Sequence, residues 1–395
     1  MITDLATVIE YETQRARITD RQARRLADAA GDALIVAPDS EPGWWRITAQ
    51  QYVGSLEVDG LRLLIRPKIR PENLFLLLEV GLQERDWRQE AFDYAITHNL
   101  LPSVIAFFTR TVETTLARGL LHAYREQLEP LVALRGRLAL AAQFTRSGVQ
   151  TPVACRYDDF TADNAENRYL KAAVRRALRV PQASAQDRRR LMQQLVALED
   201  VADVAVQPSD LDRIALTRLN AHYEPALRLA HLILENLTLV DQRGGTTASS
   251  FLLDMNRLFE RFVTERLRRA LRGRLDVLAE PSEHLGERRQ VAMKPDLVFR
   301  RRGTNVYVGD IKYKLTHDAR ARSGDYFQLL AYVTALDLPE GVLIYCLAEG
   351  GQPERSVTVR HAGKVLHTRA VDLTGTPAAV AIALEALADW MMARV

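Results

Sequence analysis

Cysteine is nearly missing: Cys155 and Cys346 are the only two in 395 residues. That excludes a disulfide framework and a multi-cysteine zinc site, and it fits a reducing cytoplasm. No apolar run approaches the roughly 18 residues of a membrane span, and no charged-then-apolar signal segment opens the sequence, so neither insertion nor export is expected. GxxxxGK[ST], a GxGxxG opening a helix and HExxH are all missing, so P-loop nucleotide hydrolysis is not expected of this chain alone. Charge of one sign is also lacking. A formal net charge of +3 does not announce nucleic-acid binding, and the distribution of charge matters more than its sum. What is present is an ordinary globular composition, 47% hydrophobic and 26% charged, with length for two or three domains.

The chemistry concentrates in Lys294 to Lys314, KPDLVFRRRGTNVYVGDIKYK. A period of two puts Val306, Val308, Asp310, Lys312 and Lys314 on one strand face, with Tyr307, Ile311 and Tyr313 on the other. A turn through Arg301 to Asn305 centred on Gly303 sets position 296 opposite position 310. Directly opposed residues have Cβ atoms about 5 Å apart. Two carboxylates that close repel each other unless a cation or proton lies between them, and Lys312 alone is a weak remedy. Mg²⁺, which takes one or two carboxylates and keeps several waters, is the natural occupant. The spacing puts Asp296, Asp310 and Lys312 in an arrangement suited to holding a divalent metal. The other reading is a hairpin whose exposed face happens to carry acids and lysines.

The flanks add candidates. Asp325 to Leu336 reads as a helix with Gln328 and Tyr332 one turn apart. Phe251 to Arg272 reads as an amphipathic helix that offers Glu260, or alternatively Glu265, to the hairpin; a solvated helix acid is the competing reading. Arg300, Arg301, Arg302 and Lys314 belong to a local positive excess suited to DNA phosphates, or to a solvated basic face. Gln242 to Ser250 reads as a loop.

Upstream, Asp20 to Ala30 reads as a helix capped by Asp20, and Tyr52 to Val58, Asp59-Gly60 and Leu61 to Ile65 as a hairpin. Arg66, Lys68 and Arg70 leave that hairpin as a phosphate or acidic-partner contact, or simply as an exposed basic exit. Ala91 to Leu140, including Tyr124 to Leu134, reads as mostly helical, and Leu216 to Leu239 as one long helix with His222 and His231 packed. Asp163 with Glu166 reads as a capping box, the alternative being a metal site with Asp158 and Asp159.

Pro-Asp, a short hairpin and Asp-x-Lys resemble the PD-(D/E)XK nuclease superfamily, and the Gln-x-x-x-Tyr helix marks one of its branches. Across nearly the whole chain the order of motifs resembles the McrC family, the nuclease subunit of modification-dependent restriction systems. The motifs are Ile65-Arg66-Pro67-Lys68-Ile69 with Glu72-Asn73-Leu74, then Arg118-Gly119-Leu120 with Tyr124, and Leu134-Arg135-Gly136-Arg137. Asp163-Asn164, Glu166-Asn167-Arg168, Met255-Asn256-Arg257-Leu258-Phe259-Glu260 and Asp310-Ile311-Lys312-Tyr313-Lys314 follow.

The resemblance implies a DNA endonuclease dependent on Mg²⁺, with Mn²⁺ as a substitute. It would cleave double-stranded, methylcytosine-containing DNA when assembled with a hexameric AAA+ GTPase of the McrB type, which it would stimulate. It implies Asp296 and Asp310 as the metal's ligands and Lys312 as a catalytic residue. It also implies supporting roles for Glu260, Gln328 and Tyr332, partner contacts by Arg66, Lys68 and Arg70, and association of two complexes. The expected class is α/β of mixed α+β character. Residues 1–95 would form a β-rich partner-binding domain, 96–245 a mainly helical middle, and 246–395 a nuclease domain with a mixed sheet flanked by helices. A free-standing nuclease and a non-catalytic activator of an AAA+ partner are the alternatives.

Overall fold

Alternating apolar residues build the amino-terminal sheet in this computed structural model, which describes residues 3–78, 90, 91, 93–95, 97–145, 148, 151–241, 247–286, 288–316, 322–347 and 354–395. The elements are β1 (Thr3–Ile9), β2 (Thr13–Arg17), α1 (Asp20–Ala30), β3 (Leu34–Pro38), β4 (Trp44–Ala49), β5 (Tyr52–Val58), β6 (Leu61–Arg66) and α2 (Pro71–Leu77). The β5–β6 turn places Asp59 and Gly60 at φ of 50° and 75°, the positive pair a two-residue hairpin needs. Leu61, Leu63 and Ile65 then point the same way and pack with Ala23, Leu26 and Ala30 of α1. Thr19, not Asp20, caps α1. Its hydroxyl accepts from Gln22 N–H and the Gln22 side chain returns the bond, a reciprocal box that Asp20 does not complete.

Residues Leu100–Val240 make up most of a second unit. It comprises α3 (Leu100–Leu116), β7 (Ala123–Leu131), β8 (Arg137–Leu138), α4 (Leu140–Phe144), β9 (Val153–Thr161), α5 (Ala165–Leu178), α6 (Ala185–Ala197), α7 (Glu224–Asn236) and the start of β10 (Leu237–Asp241). The helix expected from Tyr124 to Leu134 is instead strand β7. It pairs antiparallel with β9 from Ala123 opposite Thr161 to Leu131 opposite Val153, and this long-range ladder overrides local helical patterning. Asn164, not Asp163, caps α5 by accepting from Asn167 N–H. Asp163 pairs instead with Arg168 and Arg125, and its carboxyl is pushed down to about 2, chiefly by the Arg168 hydrogen bond. The single long helix expected over Leu216 to Leu239 is shortened to α7, preceded by a 3₁₀ turn at Ala221–Tyr223 and ended where Leu237 becomes extended.

The first unit contains Met1–Glu79, Gln83–Asn99 and Asp241–Val395, so the amino-terminal sheet and the carboxyl-terminal elements lie together. Those elements are β11 (Thr247–Asp254), α8 (Met255–Ala270), β12 (Asp276–Ala279), β13 (Glu283–Leu285), β14 (Val291–Met293), β15 (Leu297–Arg301), β16 (Thr304–Thr316), α9 (Ser323–Ala335), β17 (Glu340–Leu347), β18 (Glu354–Thr358), β19 (Val365–Asp372) and α10 (Pro377–Met392).

Part of the loop expected over Gln242 to Ser250 is strand. Residues 242–246 lie outside the described set, while β11 runs antiparallel to β5 with Ser249 opposite Glu57. The amphipathic helix starts at Met255 because Asp254 caps it, accepting from Asn256 and Arg257 N–H groups. The carboxyl-terminal sheet runs β12-β15-β16-β17-β19-β18. It is mixed: β16–β17 and β17–β19 pair parallel, β15–β16 antiparallel. Val298, Val308, Leu343 and Tyr345 pack beneath Leu329, Tyr332 and Val333 of α9. No helix among the described residues is long and apolar enough to cross a membrane.

Candidate active site

The β15–β16 hairpin turns through Arg302 and Gly303, at φ of 52° and 84°. Arg301 faces Thr304, and an unbroken ladder from that turn would carry Asp296 opposite Gly309. The ladder slips between Phe299 and Arg300. Arg300 faces Asn305 while Phe299 faces Tyr307, which leaves Val306 as the extra residue of a bulge. Beyond it Leu297 faces Gly309, and one further step brings Asp296 level with Asp310. A one-residue slip exchanges the faces of a strand, so the bulge is what makes the two acids neighbours.

Asp296 Oδ2 accepts from the Ile311 N–H at 2.6 Å. Lys312 Nζ lies 2.7 Å from Asp310 Oδ2 and 4.0 Å from Asp296 Oδ2. Asp310 is 0% exposed. Its Oδ1 has no hydrogen-bond partner among the described residues, and its Oδ2 has the Lys312 ammonium as ion-pair partner. Burial, reinforced by the Asp296 charge, raises Asp310 above the usual carboxylate range; burial likewise raises Asp296. Burial alone would lower Lys312, but Asp310 and Asp296 more than offset it, so the lysine is held as a cation.

This donor set fits a hard divalent cation. Two carboxylates share one place, one of them buried with an unpartnered oxygen, and such a cation fills its remaining positions with water or phosphate oxygens. No group of three or more His, Cys, Asp or Glu side chains arranged for a metal occurs among the described residues.

Glu260, in the second turn of α8, is the helix acid whose charge feels Asp296 and Lys312. Burial first, then the Asp296 and Glu280 carboxylates, push it up to about 7. Glu265 is tied to Arg268 at 2.8 Å. On α9, Gln328 Nε2 donates to Tyr332 Oη at 2.7 Å, and that hydroxyl donates to the Lys294 carbonyl at 3.3 Å, bracing the chain two residues before Asp296.

Glu280 belongs to this site and was not singled out in the sequence. Its N–H donates to the Asp296 carbonyl at 3.0 Å, its carboxylate pairs with Lys294 at 2.9 Å, and it sits at a φ of 47°. Its approach depends on Ala279 pairing with Leu297, a long-range contact that no local pattern announces.

Other candidates lie further off. Lys314 is held by Asp325 at 3.0 Å, and Asp325 also accepts from the Tyr345 hydroxyl. Arg300 is bound to Asn305 and Glu283. Arg301 and Arg302 sit at the hairpin tip, five and six residues from Asp296, or roughly 16 to 20 Å by strand rise. Arg66 ends β6, while Lys68 and Arg70 are exposed between β6 and α2. At the far end of α8 a groove of about 490 Å³ is lined by Arg266, Arg269, Arg274 and Asp389, away from the acid pair.

An acid pair with a lysine is carried here by a hairpin in a mixed sheet against which α8 and α9 pack. The profile of the McrBC 5-methylcytosine restriction system component matches residues 47–346, and the chain belongs to that family. A chain in the refined half-complex from a tetradecameric assembly of Thermococcus gammatolerans McrB AAA+ hexamers with bound McrC has the same fold. It is 21% identical at a TM-score of 0.58, over 98% of this chain and 100% of that one. A chain of the Thermococcus gammatolerans McrBC complex solved by cryo-EM is 24% identical at a TM-score of 0.45, over 68% of this chain and 88% of that one. Among curated proteins none matches.

Proposed function

We propose that the chain is the McrC-type nuclease subunit of a modification-dependent restriction system, hydrolysing DNA phosphodiesters with Mg²⁺ while assembled with an AAA+ GTPase of the McrB type. The observation that carries the reading is the bulge-set pair Asp296 and Asp310 with Lys312 beside it. Asp296 and Asp310 would hold Mg²⁺, which when bound supplies Lewis-acid polarisation of the phosphate and a more acidic water. Lys312, held charged, offsets negative charge building on the phosphate rather than serving as the base. Glu260, poised near neutral pH, is the residue to take up a proton. Tyr332, Gln328 and Glu280 keep the Lys294–Asp296 segment in place.

Partner contact is supported by a second feature. Tyr124 and Phe160 pair across β7 and β9 with ring centroids 5.0 Å apart, and they are 76% and 59% exposed. Exposed apolar clusters of this kind mark protein interaction surfaces, and we assign this sheet, together with the basic segment Arg66–Arg70, to the AAA+ partner. Incubating the chain with methylated plasmid, Mg²⁺ and GTP, with and without that partner, tests the reading. Cleavage that requires the partner supports it; equal cleavage without the partner would favour a free-standing nuclease, and none with Mg²⁺ a non-catalytic activator.

A further inference from the structure

Glu10 lies in the tight turn after β1, and it is 0% exposed. Its N–H donates to the Arg66 carbonyl at 2.9 Å. Its Oε1 accepts two hydrogen bonds, from the Lys68 N–H at 2.7 Å and from the Tyr313 hydroxyl at 2.7 Å. A carboxyl group removed from water is costly unless bonds replace its hydration, and burial raises Glu10 above the usual carboxylate range. None of the chemistry assigned above uses this residue.

Tyr313 stands at the other end of the contact. It follows Lys312 directly on β16, and its ring packs on Phe259 with centroids 5.8 Å apart. Phe259 precedes Glu260 on α8. One tyrosine therefore joins β16, which carries Asp310 and Lys312, to α8, which carries Glu260, and its hydroxyl ends on the carboxyl group that also holds the backbone of Lys68. The Lys68 ammonium lies 5.6 Å from the centroid of the Tyr11 ring, so the basic segment rests on the same short turn by its side chain as well.

We propose that Glu10 and Tyr313 form a joint through which the segment Arg66–Arg70 positions Lys312 and Glu260. They are positioning residues: moving the basic segment shifts the Glu10 carboxyl group, and the Tyr313 hydroxyl transmits that shift to β16 and α8. For its effect on cleavage the joint rests on the nuclease reading above. A second tie between the amino- and carboxyl-terminal segments supplies the control. Asn73 donates to the Leu373 and Gly375 carbonyls at 2.6 and 2.8 Å, and neither acceptor lies on β16 or α8.

Three variants separate the possibilities. Tyr313→Phe deletes the hydroxyl and keeps the ring, Glu10→Gln keeps an oxygen acceptor for both donors, and Asn73→Ala breaks the control tie. Backbone hydrogen exchange would be read over residues 61–70 and 307–314 of the full chain. With the AAA+ partner, GTP, Mg²⁺ and methylated plasmid, kcat and KM would be read well below each Tm. Tyr313→Phe is expected to speed exchange in both segments by about fivefold, the worth of one hydrogen bond. It should lower kcat about tenfold with little change in KM, while Glu10→Gln keeps kcat near wild type and Asn73→Ala loses only Tm. Exchange that changes at one segment alone, or an Asn73→Ala kcat loss equal to that of Tyr313→Phe, overturns the joint. If the wild-type protein does not cleave, the nuclease reading fails, while the exchange experiment still decides the joint.

Discussion

Asp310 is a carboxyl group placed where its charge is hard to keep, fully buried and beside Asp296. Replacing it with asparagine removes the proposed metal ligand and a buried charge together. Asp310→Asn is expected to lower Mg²⁺-dependent cleavage by about 10²-fold or more, and to abolish the rise in Tm that Mg²⁺ gives the wild type by binding only the folded state. Differential scanning calorimetry with and without the ion checks the second effect independently of activity.

Glu260 carries a pH prediction. Its folded-state pKa is raised from 4.5 to about 7, so the folded state holds that proton more tightly than the unfolded chain does. The stability it contributes is present below about pH 4.5 and is lost as pH rises through about 7. In metal-free protein Glu260→Gln should flatten that fall in Tm. In cleavage assays it should also remove a limb of activity that rises with pH in the wild type.

At this scale the nearness of Asp296, Asp310 and Lys312 was legible from strand period and a glycine in the turn, while the bulge at Val306 that completes the register was not. Glu280 was not, since it arrives through the pairing of β12 with β15.

Among the elements, the hairpin shows how a correct register can be reached by an unexpected route. A turn centred on Gly303 predicts Asp296 opposite Asp310. The structure arrives there with a two-residue turn plus the extra residue at Val306. Deleting Val306 removes only the bulge residue, so an even ladder should still set Asp296 level with Asp310 and cleavage should be retained, with circular dichroism unchanged.

Gly54 is a second stringent position. It lies at φ 140° between β6 and β11, where a Cβ would stand 1.9 Å from the Phe251 carbonyl oxygen. Gly54→Ala should lower stability by about 2 kcal/mol or more, read from the denaturation midpoint.

The β5–β6 hairpin and the β15–β16 hairpin were legible because each turn announces itself with glycine between alternating strands. Strand β7 was misread as helix because its Glu and Leu spacing suits either element, and only its partner β9, more than twenty residues away, decides between them. The caps of α1 and α5 were each misplaced by one residue. A side chain's choice between adjacent N–H groups depends on backbone geometry that sequence does not carry.

Over the whole molecule, the amino-terminal sheet and the mixed sheet belong to one compact unit. They are stitched together by β11 on β5, by Asn73 on the turn before α10 and by Glu10 on β16. Such a linkage lies beyond a reading made segment by segment, because its contacts span up to 303 positions. For the proposed partner surface, Tyr124→Ser combined with Phe160→Ser should weaken binding of the AAA+ protein by about tenfold or more without lowering Tm, checked by calorimetric titration.

The most direct measurement is plasmid cleavage by the complete assembly. Wild type and Asp310→Asn would be compared with the AAA+ partner, GTP and either Mg²⁺ or EDTA, on methylated and unmethylated DNA. The account predicts double-strand breaks only in methylated DNA and only with wild type, partner and Mg²⁺ together. Undiminished cleavage by Asp310→Asn, or cleavage in EDTA, would contradict it.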